Sequence, residues 1–151
     1  VVCRRQRQMC IRDSDKVIVY PREKNSFKNI IKKMKKPCVL YLLADEDISL
    51  DDSIFTDFFD TQKATLKSIS KLAKLTNSKV LPCMCTYNIE SNNFFFKVFP
   101  ELDNFPSNNI IEDCLKINMC LQQQILFDVS QYMWTLRIYK HRPDGSDVYK
   151  I

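Results

Sequence analysis

The sequence predicts an α/β fold with a mostly parallel central sheet flanked by helices, and three observations lead to this prediction. Of the 151 residues, 45% are hydrophobic and 27% are charged, which is typical of a globular chain with a buried core. Apolar residues recur at helical spacing in several stretches. Apolar runs that resemble strands lie between these stretches, and such alternation indicates an α/β arrangement.

The first predicted helix covers residues 26–36, where apolar side chains share one face and lysines lie opposite, and Pro37 ends it. The next run, residues 38–43, is apolar without alternation, which predicts a strand buried on both faces of a parallel sheet. Ligands of open α/β sheets bind beyond the carboxyl ends of strands. Asp45 and Asp47, which follow this run, are therefore candidate site residues.

The remaining elements follow from the same patterns. Residues 48–62 are predicted to form a loop, and the apolar stripe of residues 63–76 predicts a second helix. Residues 80–87 and 94–99 are predicted strands, joined as a hairpin through a polar turn. A long helix is predicted from about residue 109 to 127.

The candidate polar clusters each have a second explanation. The carboxylates around Asp45 and Asp47 suit a hard cation or acid–base chemistry, but a solvated loop explains them equally well, and no second ligand set supports a metal. A predicted basic stripe on the second helix suits anionic lipid, phosphates or an acidic partner, although a solvated face is more usual. Its members are Lys63, Lys67, Lys71 and Lys74.

Two further residue types are expected to have no chemical role. Cys83 and Cys85 lie on one face of a predicted strand, but two thiols without further ligands are a poor zinc site. The only histidine, His141, lies in a basic tail without a nucleophile motif and is expected at the surface. An odd number of cysteines beyond residue 14 suits reduced thiols in the cytosol. They are Cys38, Cys83, Cys85, Cys114 and Cys120.

Residues 1–14 are set apart by their charge and lack of periodicity. They carry +3 of the formal net charge of +5, so the remaining 137 residues carry only +2 and predict no nucleic-acid partner. The run resembles a translated sequencing adapter, and a basic disordered arm is the alternative. Residues 15–151 form the predicted domain. The single glycine, Gly145, argues against a phosphate-binding loop. No apolar run is long enough to span a bilayer.

The run QYMWTLRIYKHRPDG, residues 131–145, resembles the C-terminal motif of the bacterial lipid A biosynthesis lauroyl/myristoyl acyltransferases. The runs VLYLLADED and FTDFFDTQKAT resemble earlier blocks of that family in the same order. The similarity extends from about Asp15 to Tyr149, which corresponds to roughly the second half of a family member. It implies that the chain is the C-terminal part of an acyltransferase-type α/β domain.

The resemblance implies transfer of a fatty acyl chain from acyl carrier protein to a hydroxyl of a lipid A precursor, at the cytoplasmic face of the bacterial inner membrane. The family's general base is a histidine in a His-x-x-x-x-Asp/Glu motif, and no metal or cofactor is expected. His141 is followed five residues on by Ser146, so the motif is absent and no catalytic residue is assigned here. The chain alone is expected to be inactive. A catalytically inactive module that binds lipid or carrier protein is the alternative.

Four residues match family positions that bind or orient substrate. Asp45 and Asp47 resemble the family's Asp-x-Asp beside the catalytic pocket, while Arg137 and Arg142 match basic positions that meet lipid phosphates or the carrier protein. Ile48-Ser49 stand where a glycine usually follows, Ala44 replaces a proline, and Ile138 replaces the second residue of a basic pair. We further expect the strand over residues 38–43 to carry both aspartates to the rim of a pocket, on the same side as the tail, residues 134–142.

Overall fold

The computed structural model describes residues 17–20 and 25–150, and the chain divides into two units, Val1–Leu40 and Tyr41–Ile151. The first unit contains helix α1 (Ser26–Met34), whose last turn carries Lys32 and Lys33. Cations in the last turn favour a helix because its C-terminus carries partial negative charge. The structure confirms the predicted helix over residues 26–36, and the helix ends two residues earlier than predicted.

The second unit contains two hairpins and two helices. Strands β1 (Ser53–Phe58) and β2 (Thr61–Leu66) form one antiparallel sheet, and β3 (Cys83–Asn88) and β4 (Asn93–Val98) form the other. Helix α2 (Ser68–Thr76) lies between the hairpins in sequence. Helix α3 (Ile110–Phe127) follows β4, and a 3-10 turn (Val129–Gln131) precedes the tail.

The predicted parallel sheet is wrong. Both sheets in the described part of the chain are two-stranded and antiparallel, and residues 38–43 form no strand there. A strand needs a hydrogen-bonded neighbour, and no described strand pairs with this run. The predicted loop over residues 48–62 is also wrong, since β1 lies within it. The second helix begins at Ser68 because the residues before it belong to β2.

The β1–β2 hairpin turns through Phe59 and Asp60. Phe58 pairs with Thr61, so the loop has two residues, and both take positive φ values of 45° and 56°. That is the conformation of a type I′ turn, which Asn-Gly usually forms because bulky side chains disfavour positive φ. The Phe59 ring packs edge-on against Phe58 at 4.8 Å, and this burial offsets the unfavourable backbone geometry.

The hydrophobic core lies between this hairpin, α3 and the tail. Phe58, Ile125 and Ile138 are almost fully buried, and partly buried rings of Tyr132 and Tyr139 pack against them. Tyr139 also donates a hydrogen bond from its hydroxyl to the carbonyl of Phe58 at 3.1 Å. The core therefore ties the tail, which carries the predicted family motif, directly to β1.

A buried polar network fixes α3 on the same hairpin. Asn118, which is fully buried, donates to Thr56 Oγ1 and to the Asp57 carbonyl, each at 3.0 Å. Its own Oδ1 accepts from Thr65 Oγ1 at 3.1 Å, and Thr56 donates to Thr65 at 3.0 Å. Because buried polar groups are costly when unpaired, this closed set of bonds specifies one position of the helix along the strands.

Candidate functional site

The two predicted aspartates contact the tail. Asp47 has a fully buried side chain, and its Oδ2 accepts a hydrogen bond from the backbone N–H of His141 at 2.7 Å. Its Oδ1 lies 2.6 Å from the His141 ring Nδ1. Asp45 accepts a hydrogen bond from the Tyr132 hydroxyl at 3.2 Å. The structure therefore brings both acids against the segment that carries the motif, while their role in substrate binding stays a prediction.

Tyr132 occupies a partly buried position between Asp45 and the exposed end of the motif. Burial, followed by the negative charge of Asp45, raises the pKa of the Tyr132 hydroxyl well above its usual range. The hydroxyl is therefore a hydrogen-bond donor at all physiological pH values. Trp134 packs edge-on against the Tyr132 ring at 5.0 Å and donates its indole N–H to the Val129 carbonyl. These contacts hold the Gln-Tyr-Met-Trp run in one conformation.

Lys63 supplies a buried cation beside the aspartates. Its side chain is fully buried in β2, and its Nζ reaches the Ala64 carbonyl only at 3.5 Å. Burial lowers the pKa of the Lys63 ammonium, and the charges of Asp47 and Asp45 oppose that effect. A buried charge is tolerated only near opposite charge. The charges of Asp47 and Asp45 thus favour the protonated form of Lys63, against the larger effect of burial.

The placement of Lys63 overturns the predicted basic stripe. Only Lys71 and Lys74 lie within α2, while Lys67 precedes the helix and donates to the Asp51 carbonyl at 2.8 Å. Lys74 reaches the Asn108 side chain at 3.3 Å. The four lysines do not form one face, because β2 places Lys63 in the interior and not on the surface. The helix therefore contributes two exposed lysines to any anionic partner.

The two predicted arginines lie on the tail with different surroundings. Arg142 donates to the Gln62 carbonyl at 3.1 Å and to Thr61 Oγ1 at 3.0 Å, and its guanidinium lies over the Tyr139 ring at 5.6 Å. Arg137 is exposed and lies over the Tyr149 ring, also at 5.6 Å. A guanidinium has five N–H donors. Both arginines therefore keep donors that can bind an anion.

His141 is also less exposed than its sequence context predicts. It was expected to be a surface histidine without a role, yet its side chain is only 25% exposed and it pairs with buried Asp47. No sequence motif signals this pair, because 94 residues separate the two positions. With Nδ1 facing the carboxylate, the remaining ring nitrogen can donate or accept elsewhere.

Metal-ligating side chains are not clustered in the part of the chain that the structure describes. Among residues 17–20 and 25–150, no group of three His, Cys, Asp or Glu side chains could hold a metal ion. Cys83 and Cys85 are free thiols in β3, and Cys85 is exposed. Within the same described residues, no helix is both long and apolar enough to span a bilayer.

Comparison with known proteins identifies the class. The sequence model of the bacterial lipid A biosynthesis acyltransferases matches residues 4–141. A lipid A biosynthesis acyltransferase of Haemophilus influenzae is 33% identical over 129 residues, which cover 83% of this chain and 39% of that protein. The lipid A biosynthesis myristoyltransferase of Escherichia coli is 30% identical over 105 residues, or 70% of this chain and 32% of that protein. The lipid A biosynthesis lauroyltransferase of Escherichia coli is 24% identical over 124 residues, covering 82% and 40%.

The chain therefore belongs to the bacterial lipid A biosynthesis acyltransferase family, which confirms the resemblance seen in residues 131–145. It spans about two fifths of the length of the Haemophilus influenzae relative. The matched range begins at residue 4 and so overlaps residues 1–14. The assignment of that run to an adapter stays a prediction, and the run lies outside the described residues.

Proposed function

We propose that this chain is the C-terminal part of an enzyme that transfers a fatty acyl group from acyl carrier protein to a hydroxyl of a lipid A precursor, at the cytoplasmic face of the bacterial inner membrane. The family match over residues 4–141 carries this proposal. In the reaction, the hydroxyl oxygen attacks the thioester carbonyl, its proton passes to a general base, and the carrier thiol leaves. The chain holds no His-x-x-x-x-Asp/Glu motif, so its own contribution is to position substrate.

Asp45 and Asp47 act in this proposal as positioning residues. Both carboxylates already accept bonds from the tail, at Tyr132 and His141, and so they fix the tail and do not bind substrate directly. Because enzymes accelerate reactions through groups held in a preorganised geometry, a tail fixed in this way can present its arginines to substrate without further ordering.

Arg137 and Arg142 are the proposed contacts to anionic groups. A lipid A precursor and acyl carrier protein both offer phosphate or carboxylate groups, and guanidinium groups bind such groups through paired N–H donors. The Arg142 guanidinium is oriented by Thr61 and Gln62, whereas Arg137 is held only by its stacking on Tyr149. Arg142 is therefore the more preorganised of the two.

A chimera tests this proposal in a complete protein. In the Haemophilus influenzae relative, the 129 matching residues are replaced by those of this chain, and acyl transfer from acyl carrier protein to a lipid A precursor is measured. We expect the chimera to be active and the 151-residue chain alone to be inactive. A chimera that folds like its parent but transfers no acyl group would contradict the proposal.

Variants of the chimera separate the roles. We expect Arg142→Gln to raise KM for the lipid about tenfold or more, since a hydrogen bond to a charged group contributes about 1.5–3 kcal/mol. Asp45→Asn should lower kcat, because it weakens the hold on Tyr132. Leu75→Asp, at an exposed position of α2, is the matched control and should change neither constant. Equal effects of all three variants would contradict the roles proposed for Arg142 and Asp45.

A second candidate is a catalytically inactive module that binds lipid or carrier protein. It is favoured by one observation, since both carboxylates are occupied by the protein's own groups. This function predicts binding of acyl carrier protein or lipid A precursor by the folded chimera, with no turnover of either. The transfer assay above therefore distinguishes the two candidates.

A further inference from the structure

Helix α3 carries an apolar stripe on the outside of the second unit. Four apolar residues lie within about 80° of one another around its axis, because successive residues of an α-helix advance by about 100°. They are Ile111, Leu115, Met119 and Leu126, and their exposed fractions are 54%, 37%, 52% and 64%. Single exposed apolar residues are common on protein surfaces, whereas a continuous apolar patch indicates an interaction site.

The stripe is separate from the side of α3 that packs on the β1–β2 hairpin. That side carries Cys114, Ile117 and Ile125, which are buried. Its middle lies roughly 110° around the helix axis from the middle of the stripe. A helix at a protein surface usually has one apolar face, toward the core, and polar residues elsewhere. Within the described part of the chain, nothing covers the second apolar face, since its four residues remain exposed.

The charges of α3 indicate which occupant this face suits. The helix has two acidic residues and one basic residue. Asp113 is fully buried, and Lys116 uses its ammonium to bond the carbonyls of Asp103 and Asn104, at 3.3 and 2.9 Å. Glu112 is exposed in the first turn. A membrane-surface helix carries Lys and Arg beside its apolar face, and an acidic protein requires a basic surface, so α3 suits neither.

The stripe is complementary to itself when two copies of α3 run antiparallel. Ile111 and Leu126 are about equally far from Met119, which lies at the middle of the stripe. A two-fold axis beside Met119 therefore places Ile111 of one copy opposite Leu126 of the other, and the contact extends over about 22 Å of helix. Antiparallel pairing also brings the positive end of each helix dipole beside the negative end of the other.

The two ends of the stripe carry opposite charges. Glu112 lies in the first turn of α3. At the other end, the Nζ of Lys97 lies 4.3 Å from the ring centroid of Phe127, the last residue of the helix. Glu112 and Phe127 lie on the same side of the stripe, because they are about 60° apart around the axis. Antiparallel pairing therefore brings Glu112 of each copy toward Lys97 of the other.

We propose that two copies of this chain associate through the α3 stripe as an antiparallel pair with two-fold symmetry, in which Glu112 of each copy lies beside Lys97 of the other. One helix face of each copy takes part, so the interface is smaller than the standard of about 800 Å² per partner. We therefore expect a weak dimer, with a dissociation constant of about 10–100 µM. The dimer is independent of acyl transfer.

Sedimentation equilibrium tests the stripe. It is measured on the 151-residue chain from about 1 to 500 µM, a range that spans the expected dissociation constant. We expect Met119→Glu to weaken the dimer about tenfold or more, because it places two carboxylates together at the two-fold axis in apolar surroundings. Ile89→Glu is the matched control, since it replaces an exposed apolar residue at the tip of the β3–β4 hairpin, and it should leave the dimer unchanged.

Charge reversal tests the antiparallel arrangement. Glu112→Lys and Lys97→Glu should each weaken the dimer about twofold or more, because each places like charges together at both ends of the interface. The double variant should restore wild-type association, since it exchanges the two charges without changing their pairing. Urea unfolding at about 1 µM, where the chain is monomeric, should show that Met119→Glu leaves the fold intact, because its side chain is exposed there.

Four outcomes would overturn the inference. The first is a chain that stays monomeric over the whole range. The second is association that Met119→Glu and Ile89→Glu weaken equally, which would place the contact elsewhere. The third is binding of the chain to phosphatidylglycerol vesicles that Met119→Glu abolishes, which would make a lipid surface the occupant. The fourth is a double charge-reversed variant that associates no better than the single ones. A dimer that Met119→Glu alone disrupts and the double variant restores supports the proposal.

Discussion

Asp47 holds His141 through both of its carboxylate oxygens. Oδ2 accepts from the backbone N–H at 2.7 Å, and Oδ1 lies 2.6 Å from the ring Nδ1. The carboxylate is fully buried, so water cannot replace either contact. One residue of an acidic run near the start of the second unit thereby fixes a residue of the tail that is 94 positions away.

Removing this carboxylate should release the tail. We expect Asp47→Ala to lower the free energy of unfolding by about 1–3 kcal/mol, because it leaves a backbone N–H and a ring nitrogen without their acceptor. Urea unfolding followed through the fluorescence of Trp134, the only tryptophan, measures the change. Hydrogen exchange at the amide of His141 should become faster in the same variant.

His141→Ala is the matched control for that substitution. It removes the ring but keeps the backbone N–H, so one of the two contacts with Asp47 remains. We expect a smaller loss of stability and a protected amide at position 141. Equal losses from the two variants, with the amide equally protected in both, would show that the carboxylate does not anchor the tail.

The buried hydrogen-bond network at Asn118 should contribute measurably to the stability of the fold. Asn118→Leu removes an amide that bonds Thr56, Asp57 and Thr65, so a buried part of the network loses these bonds while Thr56 and Thr65 keep the one between them. We expect a loss of about 2–3 kcal/mol in the free energy of unfolding. Chemical denaturation measures it, and an unchanged m-value would show that the unfolded state is not altered.

Thr65→Val tests whether the network acts as a unit. Because Thr65 bonds both Asn118 and Thr56, its loss and that of Asn118 should not add in the double variant. Additive losses would mean that the bonds contribute independently. Such a result would contradict a network that specifies the position of α3.

Stability at acid pH should depend on Asp113. Burial favours the neutral carboxyl, but hydrogen bonds from Ser70 and from Ser107 outweigh it and, with Lys116, hold the pKa below its usual value. The folded pKa thus lies below the unfolded value of about 3.9. The stabilisation is then fully present above that unfolded value and is lost as the pH falls through the folded pKa.

Asp113→Asn measures this contribution. We expect the wild-type chain to lose stability below about pH 4 more steeply than the variant, because only the wild type must take up this proton on unfolding. The comparison uses urea midpoints from pH 7 down to pH 2.5. Parallel curves for the two proteins over that range would exclude Asp113 as the cause.

Local patterns predicted the elements that depend on local signals. The periodicity of α1 and α3 and the polar turn between β3 and β4 were sufficient to place these elements correctly. The β1–β2 hairpin was missed because Phe59-Asp60 stands where Asn-Gly would signal the turn. The run over residues 38–43 has the composition of a buried strand, yet a strand forms only where a neighbour supplies its hydrogen bonds.

The residues of the candidate site also divide into those that local sequence signals indicate and those that they do not. Asp45 and Asp47 were proposed from their position after an apolar run and from the family motif; the structure shows their contacts with the tail, and their role at a site stays a prediction. Lys63 and His141 were misplaced, since the one was assigned to a helix face and the other to the surface. The positions of both residues depend on long-range packing, and helical spacing and local charge carry no information about such packing.

The burial of Cys114 predicts that its thiol reacts slowly. It is fully buried beneath β2, and burial, followed by the nearby Asp113, raises the pKa of its thiol to about 11. The thiolate is the reactive form, so Cys114 should resist alkylation at pH 8 while exposed Cys85 reacts. Peptide mapping after brief treatment with a maleimide measures both sites. In urea, Cys114 should react as fast as Cys85, and rapid labelling of Cys114 in the folded chain would show that the packing of α3 on β2 is incorrect.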